Sequence, residues 1–86
     1  MNYTIRIERP AQKALSRIPQ PYQDIIIDAI RNLSGEPRPH GTRKLSGRDA
    51  WRIRVGDYRI IYEIEDSQRS ILVVTLGHRK EIYRER

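Results

Sequence analysis

Two short runs of alternating apolar and polar residues meet at Gly56-Asp57, beyond the middle of the chain. The first run covers residues 50–56 and the second covers 58–65. Alternating runs on either side of a glycine-containing pair are typical of two antiparallel strands joined by a two-residue turn. With that turn, the expected cross-strand pairs are Val55 with Tyr58, Arg54 with Arg59, Ile53 with Ile60 and Trp51 with Tyr62.

This register separates the side chains of the hairpin onto two faces. Paired residues lie on the same face, and the faces alternate along each strand. One face is apolar and is expected to belong to the core; it consists of Trp51, Ile53, Val55, Tyr58, Ile60 and Tyr62. The other, which we name the arginine face, consists of Arg52, Arg54 and Arg59. Like charges directly opposed in a sheet cost stability, so this face predicts the binding of an anion.

The residues before the hairpin predict a strand and then a helix. Tyr3, Ile5 and Ile7 alternate with polar residues, which predicts a strand over residues 2–8. Pro10 suits the first turn of a helix, because the N–H that proline lacks has no helical partner there. The apolar positions of this first helix are Ala11, Ala14, Leu15 and Ile18.

A second helix is predicted from about Pro21 to Leu33, with Gly35 as its C-terminal stop. Its apolar side is formed by Tyr22, Ile25, Ile26, Ala29, Ile30 and Leu33. Ile27 lies outside that side and is interpreted either as a partly covered surface residue or as a contact with a partner protein. The link between the two helices is short, which predicts an antiparallel pair packed on the sheet.

The remaining segments complete an α+β domain. Proline and glycine mark residues 34–49 as a loop, with Leu45 as its hydrophobic anchor. The nearly continuous apolar run at 70–76 predicts a strand in the interior of the sheet, and the chain ends in a short C-terminal helix or tail. The predicted order is β-α-α-β-β-β over residues 1–86, with one mainly antiparallel sheet and a helical hairpin on one face.

Charge and composition narrow the functional classes. The 86 residues carry 17 Lys+Arg against 11 Asp+Glu, a net charge of +6. Such a balance suggests a polyanionic partner, either nucleic acid or an acidic protein. Without cysteine there is no disulfide or thiolate metal site, and the two histidines and scattered acids predict no metal site. The apolar runs are too short to span a membrane and the start lacks a signal-peptide pattern, so a cytoplasmic protein is expected.

Basic residues flank the arginine face in sequence. Arg43, Lys44 and Arg48 lead into it and are expected to form an RNA-binding rim, and the 70–76 strand is expected to deliver His78, Arg79 and Tyr83 to the same face. This set suits metal-free RNA cleavage through the ribose 2′-hydroxyl, with arginine on phosphate, tyrosine on a base and histidine moving protons. The residues alone leave alternatives open: ion pairs with an acidic partner protein, a core Tyr83 and an ordinary surface His78.

Three segments resemble the RelE/ParE superfamily of type II toxins, on the RelE side. They are Lys44-Leu45-Ser46-Gly47, the hairpin from Trp51 to Tyr62, and Gly77-His78-Arg79-Lys80-Glu81-Ile82-Tyr83. The resemblance implies a ribosome-dependent mRNA endonuclease that needs no metal or other cofactor. It also implies a RelB-like antitoxin that wraps the toxin and blocks its basic face. The positions that carry activity in the family are matched here by Arg52, Arg54, Arg59, Arg79 and Tyr83.

One departure from the family concerns proton transfer. Well-known members have lysines at the positions of Arg52 and Arg54, and arginine stays protonated at any working pH, which makes it a poor base. Proton transfer would then fall to His78 or to ribosomal RNA, or activity would be weak. Two other readings are a ParE-like toxin that inhibits DNA gyrase without cutting RNA, and an inactive homologue that acts only as an antitoxin-bound co-repressor.

Overall fold

The computed structural model describes residues 2–47 and 49–78, and within them it contains two helices and five strands. The elements are β1 (Thr4–Ile7), α1 (Arg9–Ser16), α2 (Tyr22–Asn32), β2 (Arg43–Lys44), β3 (Trp51–Val55), β4 (Tyr58–Glu65) and β5 (Ser70–His78). The expected α+β class is confirmed. The short strand β2 lies in a segment that the sequence predicts as loop. The predicted C-terminal helix or tail lies outside the described residues.

All five strands form one sheet in the order β1-β5-β4-β3-β2. β1 runs parallel to β5, whereas the other neighbouring strands are antiparallel. The prediction of a single, mainly antiparallel sheet is therefore confirmed. β5 lies between β1 and β4, which confirms the interior position predicted from its apolar run.

The two helices cover one face of the sheet and bury an aliphatic core against it. Pro10 lies in the first turn of α1, as expected. No helix in the described part of the chain is long and apolar enough to cross a membrane. The buried core residues are Ala11, Ile18, Ile26, Ile30, Leu33, Ile60, Tyr62, Ile71, Val73 and Leu76.

The start of α2 is less buried than its pattern predicts. Tyr22 and Ile25 are 52% and 50% exposed, because an open groove of about 550 Å³ separates this end of the helix from the turn after β3. Ile27, by contrast, is half-buried and lies beside Ile5 and Ile7 of β1. The structure thus favours the interpretation of Ile27 as a partly covered residue.

The β3–β4 hairpin has the predicted register. Val55 pairs with Tyr58 and Arg54 with Arg59, so Gly56 and Asp57 form a two-residue turn. Gly56 has a φ of 61°, a left-handed conformation that this kind of turn requires and that glycine adopts without steric cost. The apolar face of the hairpin packs on the helices, as expected.

A β-bulge interrupts the pairing of β4 with β5. Ile61 pairs with Thr75 but Tyr62 pairs with Val73, which leaves Val74 as an extra residue. A bulge shifts the alternation of side chains by one position in the bulged strand only. Val73 and Leu76 consequently both reach the core, and every residue of β5 after Val74 lies on the face opposite to the one that strict alternation would give.

The loop between α2 and β2 is anchored to the sheet at adjacent residues. The buried hydroxyl of Tyr62 donates a hydrogen bond of 2.7 Å to the Pro37 carbonyl oxygen. The Arg38 guanidinium donates to both carboxylate oxygens of Asp66, at 3.2 and 2.9 Å, and lies 4.7 Å from the centre of the Trp51 ring. The loop therefore has a defined path between these anchors and β2.

The Tyr62 hydroxyl supplies the first stability prediction. Tyr62→Phe leaves the buried Pro37 carbonyl without this donor, so we expect the free energy of unfolding to fall by about 1–3 kcal/mol in urea titrations. Tyr22→Phe removes the same hydroxyl from a half-exposed side chain and should change that free energy by less than about 0.5 kcal/mol. Equal losses in the two variants would contradict the assigned role of Tyr62.

A second prediction concerns acid sensitivity at Asp66. Hydrogen bonds from Arg38 and then from Tyr3, whose hydroxyl lies 2.7 Å from the carboxylate, hold the pKa of Asp66 below its usual range. A carboxyl whose pKa is lowered by folding stabilises the fold above its unfolded pKa of about 4, and loses that contribution as the pH falls through its folded pKa. Asp66→Asn should therefore lower the thermal midpoint at neutral pH, and the difference from wild type should shrink in acid. A difference that is constant with pH would contradict this.

Candidate functional site

The arginine face lies on the side of the sheet that the helices leave open. Arg54 is directly opposite Arg59, and Arg52 is opposite Ile61. On the outer side of β3, Arg43 of β2 is directly opposite Arg52 and therefore points to the same side. The structure thus brings Arg43, one of the predicted rim residues, beside the arginine face.

A small apolar cluster explains why β2 forms next to β3. Leu45 packs against Ala50 and Ile61 on the same side of the sheet as the arginines. The Leu45 backbone N–H also donates to the Ala50 carbonyl oxygen at 2.9 Å. Leu45 acts as the anchor predicted from sequence, and it holds Arg43 in register with Arg52.

A pocket of about 260 Å³ opens between β2, β3 and the loop that precedes β2. Three guanidinium-bearing residues lie along it, and guanidinium forks match phosphate oxygens in geometry and charge. The arrangement is therefore suited to hold a phosphate group of a polyanion. The lining residues are His40, Gly41, Arg43, Arg52, Ile53 and Arg54.

The three residues of the arginine face differ in their exposure. Arg54 is exposed and Arg52 is half-buried, but Arg59 is only 3% exposed. The expectation that all three project into solvent is wrong for Arg59, which belongs to the interior strand β4, whereas Arg52 and Arg54 belong to β3 near the edge of the sheet. Arg59 therefore belongs to the arginine face by its register, but its side chain is buried.

Lys44 lies away from the arginine face. It is opposite Trp51, whose ring packs on the core side, and the Lys44 ammonium lies 5.8 Å from the centre of that ring. It is also 3.7 Å from a carboxylate oxygen of Asp49. The expected grouping of Lys44 with the arginines is wrong, because adjacent residues of a strand point to opposite faces.

His78 also lies on the helix side of the sheet. It is opposite Tyr58, with ring centres 5.9 Å apart in an edge-to-face arrangement, and it lines the groove beside Tyr22 and Ile25. Its expected position beside the arginines is wrong. The cause is the bulge at Val74, which exchanges the faces of the residues that follow it.

The other predicted site residues, Arg48, Arg79 and Tyr83, lie outside the described residues, and their place in the site stays a prediction. His40 is a site residue that the sequence analysis did not assign. The signal was its position three residues before Arg43. The pairing of Arg43 with Arg52 brings this part of the loop beside the arginines. Histidine differs from arginine in being able to accept a proton near neutral pH.

Mostly acidic residues lie at the end of the open face that is away from the arginines. Beyond the apolar cluster of Leu45, Ala50 and Ile61, a cleft of about 500 Å³ has acidic residues on its walls. In residues 2–47 and 49–78, however, no group of three histidine, aspartate or glutamate side chains is placed to share a metal ion. The charged residues that line the cleft are Arg6, Glu8, Asp49, Glu63 and Glu65.

Comparison with known proteins agrees with this architecture. The sequence model of the family described as the ParE toxin of the type II toxin-antitoxin system parDE matches residues 5–83. The toxin RelG of Mycobacterium tuberculosis is 32% identical over 88 residues, and the alignment covers 98% of this chain and 99% of RelG. The match therefore extends over both the helical pair and the strands that carry the arginines.

Two solved structures show the same fold. The archaeal RelE–RelB complex from Pyrococcus horikoshii contains a chain with a TM-score of 0.82 and 30% identity, covering 92% of this chain and 97% of that one. A chain of the RelBE2 toxin-antitoxin complex from Mycobacterium tuberculosis also has a TM-score of 0.82, at 24% identity, covering 92% of this chain and all of that one. Sequence, fold and family match together establish that this chain belongs to the RelE/ParE superfamily of type II toxin-antitoxin toxins.

Proposed function

We propose that this toxin is a ribosome-dependent, metal-independent mRNA endonuclease, an mRNA interferase that inhibits translation. The observation that carries the proposal is the pocket lined by Arg43, Arg52 and Arg54 on the open face of the sheet. Three guanidinium groups around one pocket supply positive charge where a phosphodiester gains negative charge during cleavage. RNA itself supplies the nucleophile, its 2′-hydroxyl, so the protein has to orient the backbone, stabilise the charged transition state and handle protons.

Roles for individual residues follow from this chemistry. Arg52 and Arg54 hold the scissile phosphate, and Arg43 binds the adjoining backbone. The family resemblance includes the buried Arg59 in the same active set. The family resemblance adds Arg79 as a further stabiliser of the transition state and Tyr83 as a residue that orients the substrate.

The proposed partners are the ribosome, mRNA and an antitoxin. Solved relatives include a RelE–RelB complex. We propose that a RelB-like antitoxin binds this toxin in the same way. An antitoxin that covers the arginine face would keep RNA out of the pocket. The toxin would act in the cytoplasm, where translating ribosomes are found, and needs no cofactor.

A second candidate function is inhibition of DNA gyrase without cleavage of RNA. The observation in its favour is that the family model matching residues 5–83 is described as a ParE toxin. The pocket of three arginines favours the nuclease, since cleavage of RNA requires charge stabilisation at a phosphate.

The proposal predicts that induction of the toxin in a bacterial host stops translation and cuts mRNA within reading frames. Mapping of mRNA 5′ ends after induction should reveal new ends at a fixed position within codons. Intact mRNA accompanied by DNA damage would support the gyrase reading. Intact mRNA without growth arrest would support an inactive homologue.

Matched variants connect the activity to the site. Arg52→Ala and Arg54→Ala should each reduce cleavage at least ~100-fold, because removal of one preorganised donor to a transition-state oxyanion commonly has that effect. Arg31→Ala removes the same charge from an exposed position on α2, where its contact with Asp28 is 4.0 Å, and should leave cleavage unchanged. Arg79→Ala and Tyr83→Ala should abolish growth arrest and retain antitoxin binding. Full toxicity of all these variants would exclude the proposed site.

The arginine face also predicts that replacing Arg54, at the expense of activity, makes the fold more stable. Arg54 and Arg59 are directly opposed like charges, so Arg54→Thr should raise the free energy of unfolding by roughly 0.2–1 kcal/mol at low salt. The gain should shrink as salt screens the exposed partner. The salt dependence serves as the control, because a gain that came from the strand preference of threonine would not change with salt. A loss of stability in Arg54→Thr would show that Arg54 supports the fold.

A further inference from the structure

We propose that His40 is a catalytic residue of this site and acts as the general base that deprotonates the ribose 2′-hydroxyl. The inference rests on the proposed function, because it assigns a role within the RNA cleavage reaction. It replaces the expectation that His78 moves the proton, since the structure puts His78 on the opposite side of the sheet.

His40 lies where a base would be needed. It lines the pocket together with Arg43, Arg52 and Arg54, and its side chain is exposed, so a bound RNA backbone can reach the imidazole. The other side chains on the pocket wall either keep their proton or have none to exchange. Among the described residues, no aspartate or glutamate lines this pocket.

The arginines cannot carry out this step. A guanidinium stays protonated at any working pH, so it stabilises negative charge but does not accept a proton. Histidine is the side chain whose ordinary pKa lies closest to neutrality, and it is the most frequent general base in enzymes. The pocket therefore combines charge stabilisation from the arginines with proton transfer by one imidazole.

The backbone around His40 is held in place. The Thr42 N–H donates to the Pro39 carbonyl oxygen at 3.0 Å, which closes a turn around His40, and Gly41 has a φ of 93° that favours glycine. On one side of this turn the Pro37 carbonyl is bound by the Tyr62 hydroxyl. On the other side β2 begins at Arg43, so the turn is anchored at both ends.

The reaction can be written with all bonds and protons accounted for. Neutral His40 takes the proton of the 2′-hydroxyl as the O2′–P bond forms and the P–O5′ bond breaks. The leaving O5′ takes a proton from a water molecule, and the imidazolium returns its proton to the hydroxide that remains. The products are an RNA end with a 2′,3′-cyclic phosphate and an RNA end with a 5′-hydroxyl.

The test measures single-turnover cleavage of mRNA on programmed ribosomes by the purified full-length toxin. His40→Gln should cut at least ~100-fold more slowly than wild type, as is typical when a general base is lost, with ribosome binding unchanged. His40→Ala should be equally slow, and added imidazole should restore part of its rate. His78→Gln is the matched control on the opposite face and should cut at the wild-type rate.

The outcomes separate this inference from the proposed function. A wild-type toxin that cuts no mRNA overturns both. A wild-type toxin that cuts, with His40→Gln within threefold of its rate, overturns the role of His40 alone. Loss of ribosome binding in His40→Gln, or a His40→Ala rate that imidazole does not raise, also overturns it. Thermal unfolding of each variant establishes that it is folded, as expected for changes at an exposed loop residue.

Discussion

The pairing of Val55 with Tyr58 across a two-residue turn is the constraint on which the rest of the site depends. It sets the register of β3 and β4, and a slip of one residue would exchange the core face with the arginine face. Burial of the apolar face against α1 and α2 makes that slip costly. The hydrophobic core thereby holds two like charges, Arg54 and Arg59, directly opposite each other.

Much of the fold could be predicted from local patterns. The hairpin and the two helices have strong periodic signals, and the interior position of β5 follows from its nearly continuous apolar run; each is found in the structure. β2 was missed because it is only two residues long and is held by one apolar side chain, Leu45, packing on Ala50 and Ile61. The exposure of Tyr22 and Ile25 was missed as well, since periodicity reports the apolar side of a helix but not how closely its end approaches the sheet.

The site was predicted less completely than the fold. Alternation correctly put Arg52, Arg54 and Arg59 on one face. His78 was expected beside them because it ends the interior strand, but the bulge at Val74, which has no clear sequence signature, puts it on the other face. The hairpin pattern assigns Arg59 to a face of the sheet, but it does not contain how deeply that side chain is buried. The position of His40 in the site depends on a contact between segments that are distant in sequence. The register of β2 against β3 brings the end of the loop that contains His40 beside Arg52 and Arg54.

The extra residue at Val74 also determines which kinds of mutation β5 tolerates. A substitution in this strand changes one side chain, and the neighbouring residues keep their faces. Deletion of Val74 would remove the bulge but leave Thr75, Leu76 and His78 opposite the same residues of β4, so Leu76 would stay in the core and His78 on the helix side. The bulge therefore allows β5 to lose one residue at Val74 without exchanging its faces, and a one-residue gap there in an alignment of relatives would leave the residues assigned to the core and to the site unchanged.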